Sequence, residues 1–239
     1  MSEQTPTIVL VHGAFAESAS WSRVIEQLQS RGHEVVAAAN PLRSLAGDAA
    51  YVRDVISGIG TPVMLVAHSY GGMVITEAAA DNSAVVGLVY VNGFAPEHGE
   101  SAFQLGAMFP GSTLAANAVA YPVSSGGNEF AIRQEAFHQH FAADVPAAQA
   151  AVMGATQRPA TEAALSEGLP TDAPAWKHTP SWFVFGDQDL IIPVALHRFM
   201  AERAGAKATR ELAGASHALS VSEPEAVTAT ILDATASAP

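Results

Sequence analysis

Three side chains, far apart in the chain, have the types and local settings for nucleophilic acyl chemistry: Ser69, Asp189 and His217. Ser69 follows the apolar run Val63-Met64-Leu65-Val66-Ala67-His68 and precedes Tyr70-Gly71-Gly72. A strand that turns sharply into a helix presses backbone against backbone, so the positions two before and two after the turn must be small. Ala67 and Gly71 meet that demand. The serine is then held in a strained turn, its hydroxyl exposed and the next amide at a helix N-terminus. A serine hydroxyl is a poor nucleophile near neutral pH and needs a histidine base that a carboxylate orients. The run Phe183-Val184-Phe185-Gly186 leads into Asp187-Gln188-Asp189, where Asp189 is the preferred acid and Asp187 is the alternative, suited instead to bracing the turn. Gly214-Ala215-Ser216-His217 supplies the base, and the order serine, acid, histidine is the one expected with a strand-elbow nucleophile. After the first apolar run comes His12-Gly13-Ala14-Phe15, where glycine lets the chain aim an amide back at the serine. The backbone N–H groups of Ala14 and Tyr70 are the expected oxyanion hole, each donor supplying about 3 kcal/mol to the transition state. Phe15 and Gly13, at that turn, are the expected substrate contacts.

Positioning these groups requires a sheet. Short apolar runs at about 7–11, 34–38, 62–67, 85–91, 181–185 and 207–212 read as strands, and amphipathic stretches lie between them. One helix carries Trp21, Val24, Ile25 and Leu28 on one face and ends at Gly32. Others follow Ser44, leave the serine turn through Met73, Val74 and Ile75, and cover about 194–204 and 223–235. Strand–helix alternation with unbroken apolar strands predicts an α/β fold with a mostly parallel sheet flanked by helices. Between Phe94 and His178 no β-rich run stands out, so residues 94–178 read as a helical cap insertion, with helices near 129–142, 145–155 and 161–166 and a loop at 123–128. The core is then 1–93 and 179–239, one domain over 1–239. A cap at the carboxyl ends of the strands would roof a site there.

Composition narrows the functional classes. The 239 residues are 49% hydrophobic and 14% charged, enough for one large core. A net charge of −12 with 11 unclustered basic residues offers nothing to a phosphate backbone, so no nucleic-acid partner is expected. With no cysteine, disulfides, thiolate catalysis and cysteinyl metal sites are excluded. His138 and His140, two apart on a helix, do not share a face and read as solvated rather than as a metal pair. Gly126-Gly127 lacks the strand-to-helix context of a phosphate loop. His12 and His68 read as supporting hydrogen-bonders of the site, and Phe103, Met108, Phe109 and Trp182 as core. Met1–Pro6 has no basic leader, and Thr7–Val11 is too short for a signal core or a membrane span, so a cytoplasmic chain with no membrane partner is expected. Neither a cofactor nor a metal is expected, and the choice between monomer and homodimer stays open.

With HGAF, A-H-S-Y-G-G, G-D-Q-D-L-I-I-P and G-A-S-H in order, the chain resembles the α/β-hydrolase superfamily over nearly its whole length. The Trp21 helix, the Arg31-Gly32-His33 exit and the short cap look most like the branch of plant methylesterases, hydroxynitrile lyases and their bacterial esterase relatives. Ala67 replaces the first glycine of G-x-S-x-G, and no N-terminal hairpin precedes the first parallel strand. The resemblance implies cleavage of small, largely apolar carboxylic esters or lactones through an acyl-enzyme on Ser69. Lyases of the branch typically carry threonine where Gly13 stands and lysine where Ala218 stands, so it favours an esterase over a cyanohydrin lyase. Carbon–carbon bond hydrolysis on the same triad and a non-catalytic receptor of the same fold are the alternatives.

Overall fold

Strands whose two faces are both apolar can be buried only in a sheet covered on both sides. The computed structural model, which describes residues 5–124 and 126–238, is built that way. Its strands are β1 (Thr7–Val11), β2 (Val35–Ala38), β3 (Val63–His68), β4 (Val85–Val91), β5 (Ala118–Pro122), β6 (Asn128–Ile132), β7 (Ala160–Thr161), β8 (Ser181–Gly186) and β9 (Ala208–Leu212). Six of them form one parallel sheet in the order β2-β1-β3-β4-β8-β9. The helices are α1 (Ser22–Gln29), α2 (Leu45–Ile59), α3 (Gly71–Ala78), α4 (Ala102–Gly106), α5 (Leu114–Asn117), α6 (Gln134–Phe141), α7 (Ala147–Thr156), α8 (Glu162–Ser166), α9 (Val194–Arg203), α10 (Leu219–Ser222) and α11 (Pro224–Ser237).

Side chains alternate along each strand and so feed two cores. Ile8, Leu10, Met64, Val66, Val89 and Val91 pack against Trp21, just before α1, Val24 and Leu28 of α1, and Val227 and Ile231 of α11. Val9, Leu65, Leu88, Tyr90, Phe183 and Phe185 face the opposite way, toward α2, α3, α9 and the cap. Ser44 caps α2 by accepting from the Gly47 amide at 3.1 Å. β1 lies between β2 and β3, so the chain reverses its direction of travel across the sheet next to β3. Such a switch point opens a crevice at the carboxyl ends of the strands.

The insertion corrects the helical reading of residues 94–178. It contains α4 to α8, but also an antiparallel sheet in the order β5-β6-β7. Ala118, Ala120 and Phe130 line the cavity below, whereas Val119 and Tyr121 are exposed. Alanine in place of β-branched residues hides this period-two pattern, because alanine reads as a helix former. The first cap helix after the hairpin therefore begins at Gln134 rather than near 129. Gly126 and Gly127, between β5 and β6, have φ 97° and 77°. Ser125 of the expected loop and Met1–Gln4 of the leader reading lie outside the described residues. The cap is fastened to the core where Thr161 donates its amide to the Leu42 carbonyl at 3.1 Å and its hydroxyl to the Arg43 carbonyl at 2.6 Å. Among the described residues no helix is long and apolar enough to cross a membrane.

Candidate active site

Ser69 occupies the turn between β3 and α3 at φ 54°, a left-handed conformation that costs a non-glycine residue of order 1–3 kcal/mol. Bare neighbours hold it there. A Cβ on Gly71 would lie 2.5 Å from the Val11 carbonyl oxygen, and one on Gly72 would lie 2.1 Å from that of Phe94. Ala67 sits between Val11 of β1 and Tyr90 of β4, which brings the turn after β1 alongside Ser69. A Cβ on Gly13 would fall 2.6 Å from the Ser69 Cβ. Gly13 is thus required by backbone approach and does not line the cavity, contrary to its expected role as a substrate contact.

Asp189 and His217 meet at the ends of β8 and β9. His217 donates its Nδ1–H to Asp189 Oδ2 at 2.7 Å. Its Nε2 is buried and, among the described residues, has no partner. Asp189 Oδ1 accepts the amides of Ile191 and Ile192 at 2.8 and 2.9 Å. Burial alone would raise the Asp189 pKa, but the His217 and His197 partners outweigh it and hold the carboxyl well below the usual carboxylate range. Asp187 takes the bracing role: its Oδ1 accepts the Gly214 amide at 2.7 Å.

The histidine loop is clamped from three sides. Gly186 lets it approach, since a Cβ there would lie 2.1 Å from the Ala215 oxygen. Asn92, at the end of β4, donates to the Ser216 and His217 carbonyls at 2.9 and 3.0 Å and accepts from the Gly186 amide at 2.9 Å. From the cap, Asp144 accepts the Ser216 amide at 3.0 Å and also the Ser216 hydroxyl. His68 donates from Nε2 to the His217 carbonyl at 2.9 Å, with the two rings 4.6 Å apart. Burial, then the neighbouring His217, lowers the His68 pKa to about 3, so this ring is neutral. His12 donates to the Gly13 carbonyl at 2.9 Å, which steadies the turn after β1.

Ala14, Phe15, Ser69 and Tyr70 all face a cavity of about 670 Å³. Among the described residues the amides of Ala14 and Tyr70 donate to no protein acceptor. Phe15, at φ 61°, does line the cavity. Phe103 and Phe109 line it as well, where the sequence had placed them in the core; Phe103 is 40% exposed and stacks edge-on against Phe130. Among the described residues no charged side chain lines the cavity, and the Tyr70 hydroxyl is turned away to donate to buried Asp48 at 2.9 Å.

His138 and His140 are half-buried rather than solvated, bonded to the Val145 carbonyl and the Thr113 hydroxyl. Among the described residues no three His, Asp or Glu side chains converge on a metal site. Sequence reasoning missed Asn92, Asp144 and His197. Asn92 followed an apolar strand, and His197 interrupts the apolar face of α9 beside Leu196, Met200 and Ala201, a position that only a buried polar partner explains.

The sequence profile of the alpha/beta hydrolase family matches residues 8–230. A carbendazim hydrolyzing esterase from Nocardioides sp. (strain SG-4G) is 37% identical over 114 residues, covering 41% of this chain and 46% of that protein, less than half its length. Among solved structures, polyneuridine aldehyde esterase superposes with a TM-score of 0.81 at 20% identity, over 96% of this chain and 99% of its own. The methylesterase MES16 from Arabidopsis gives 0.80 at 17%, over 97% and 99%. A pyrethroid hydrolase from Sphingobium faniae JZ-2 gives 0.76 at 20%, over 98% of both chains. With a profile match over nearly its whole length, and a sheet and cap that superpose on these hydrolases, the chain belongs to the alpha/beta hydrolase family.

Proposed function

We propose that the protein is a cofactor-independent serine hydrolase of small, largely apolar carboxylic esters or lactones. One observation carries this reading. The His217–Asp189 pair leaves a buried, unpartnered imidazole nitrogen at the end of the sheet where Ser69 is presented to an apolar cavity. The names of the matched esterases support it. In this reading His217 Nε2 takes the Ser69 proton, and Ser69 Oγ attacks the ester carbonyl. Asp189 holds the imidazole in its Nδ1–H tautomer and stabilises the charged form. The Ala14 and Tyr70 amides receive the oxyanion. His217 then gives its proton to the leaving alcohol, and a water that it activates releases the acid from Ser69. The uncharged lining favours neutral acyl and alcohol groups, because burying a charge there without a partner is costly. The cavity falls in the range that accommodates a drug-sized ligand, room for both halves of such an ester.

Parent and Ser69→Ala are to be compared on chromogenic esters of increasing acyl length through many turnovers. Loss of at least 10³-fold in kcat is expected in the variant. Equal turnover in the two proteins on every ester cleaved would refute the reading.

A further inference from the structure

Asp189 is engaged by more than one imidazole. Its Oδ2 accepts from His217 Nδ1 at 2.7 Å and also from His197 Nε2 at 3.1 Å, both side chains being essentially inaccessible to solvent. An ionised carboxylate only accepts, so His197 must carry its proton on Nε2. Its Nδ1 is buried without a partner among the described residues, as befits a neutral ring. Stacking on Phe185, with ring centroids 5.1 Å apart and planes 11° from parallel, fixes the imidazole in place. Burial, only partly offset by Asp189, keeps His197 below the ordinary imidazole range.

We propose that His197 is a positioning residue of the acid–base pair: a permanent neutral donor that shares Asp189 Oδ2 with His217, locks the carboxylate rotamer, and draws off part of the charge that would otherwise hold a proton on His217. This rests on the hydrolase reading above. With the Ile191 and Ile192 amides, the carboxylate has four donors and no freedom to turn. The hydrogen bond from His197 stabilises the carboxylate without itself becoming charged, so the imidazolium formed on His217 during turnover meets a weaker counter-charge. Among the described residues the titratable groups that face His197 are Asp189 and His217. His68 lies on the His217 ring, Asp144 reaches the same loop through Ser216, Asp187 is bonded to the Gly214 amide, and Arg198 pairs with Glu211.

The sign follows. Removing the His197 donor strengthens the pull of Asp189 on the His217 proton, so the base stays protonated to higher pH. His197→Phe keeps the stack on Phe185 without the N–H, and His197→Gln keeps an N–H of similar reach. On an ester whose hydrolysis depends on Ser69, His197→Phe is expected to move the acid limb of the kcat/KM profile up by roughly one pH unit. It should also lower kcat about tenfold, with KM within about twofold, and His197→Gln should restore both toward the parent. An acid limb that stays where the parent has it, or a glutamine variant as impaired as the phenylalanine one, would overturn the proposal while leaving the hydrolase reading intact. Turnover that survives Ser69→Ala would overturn both. Should the variants fail to fold by thermal melting, 15N spectra of histidine-labelled parent protein decide. The ring correlated with Phe185 is expected as the neutral Nε2–H tautomer from pH 5 to 8, and an Nδ1–H tautomer there would sink the proposal.

Discussion

At the ends of β8 and β9 the site is polar and held by directional bonds: Asp189 has four donors, and Asn92 and Asp144 hold the His217 loop. On the side built by the cap, Ala102, Ala107, Ala118, Ala120, Leu114 and Phe130 offer small or apolar surface, and the Ser112 hydroxyl there donates to the Ile191 carbonyl at 2.8 Å. The contrast separates two tasks. Chemistry needs atoms placed within tenths of an ångström, which directional bonds provide. Accepting a substrate needs volume and apolar contact, which alanines and phenylalanines provide without fixing an orientation.

The contrast breaks most sharply at the acid. Asp189→Asn presents an amide to two N–H donors, forcing His217 toward the wrong tautomer, and kcat is expected to fall on the order of 10³- to 10⁴-fold with the fold retained. Steady-state kinetics with a circular dichroism control would check this, and a loss under tenfold would contradict the role given to Asp189. A smaller, selective effect is expected on the other wall. Ala120→Leu fills part of the cavity that Ser69 faces, so kcat/KM for long acyl chains should drop roughly tenfold, while acetyl esters change less than about twofold. Equal losses on both would mean that the cap residue disturbs the polar wall instead.

A still smaller effect distinguishes the walls by pH. The ordinary imidazole value is 6.5, and His68 is held at about 3 in the folded protein, chiefly by burial. Between those values the unfolded chain binds a proton that the folded one refuses, so stability falls as pH drops from about 6.5 and levels off near 3. The slope is about 1.4 kcal/mol per pH unit for this one ring, and His12 and His197, also lowered, add to it. Urea midpoints at pH 7, 6 and 5 should decline accordingly. A flat series would show that these rings are protonated in the native state.

Legibility in the sequence followed the same division. The parallel strands were readable because Val, Ile and Leu dominate both faces of β1, β3 and β4 and aromatic residues with Val fill β8, and their observed ends lie within a residue or so of the expected ones. Ser69 and Asp189 were singled out because each follows such a strand, and His217 because it sits in the loop after the last strand; Asp189 and His217 do meet. The cap strands were missed because alanine carries little strand signal. Cavity-facing Phe103 was assigned to the core because an aromatic ring packs equally well in either place. Asn92 and Asp144 act through partners 72 to 125 residues away and His197 from a buried helix face, relations that no local pattern encodes.

The positive φ of Ser69 reaches beyond its own turn. Threonine carries the same hydroxyl and would seem an equal nucleophile. Its second Cβ substituent, however, makes a left-handed backbone a genuine outlier, and the turn at Gly13 runs so near this Cβ that a side chain there would clash with it. Backbone geometry rather than reactivity therefore decides which alcohols mutation can install at position 69. Drift at this site is channelled toward unbranched side chains, and a β-branched exchange is closed to it even where the chemistry would have allowed one.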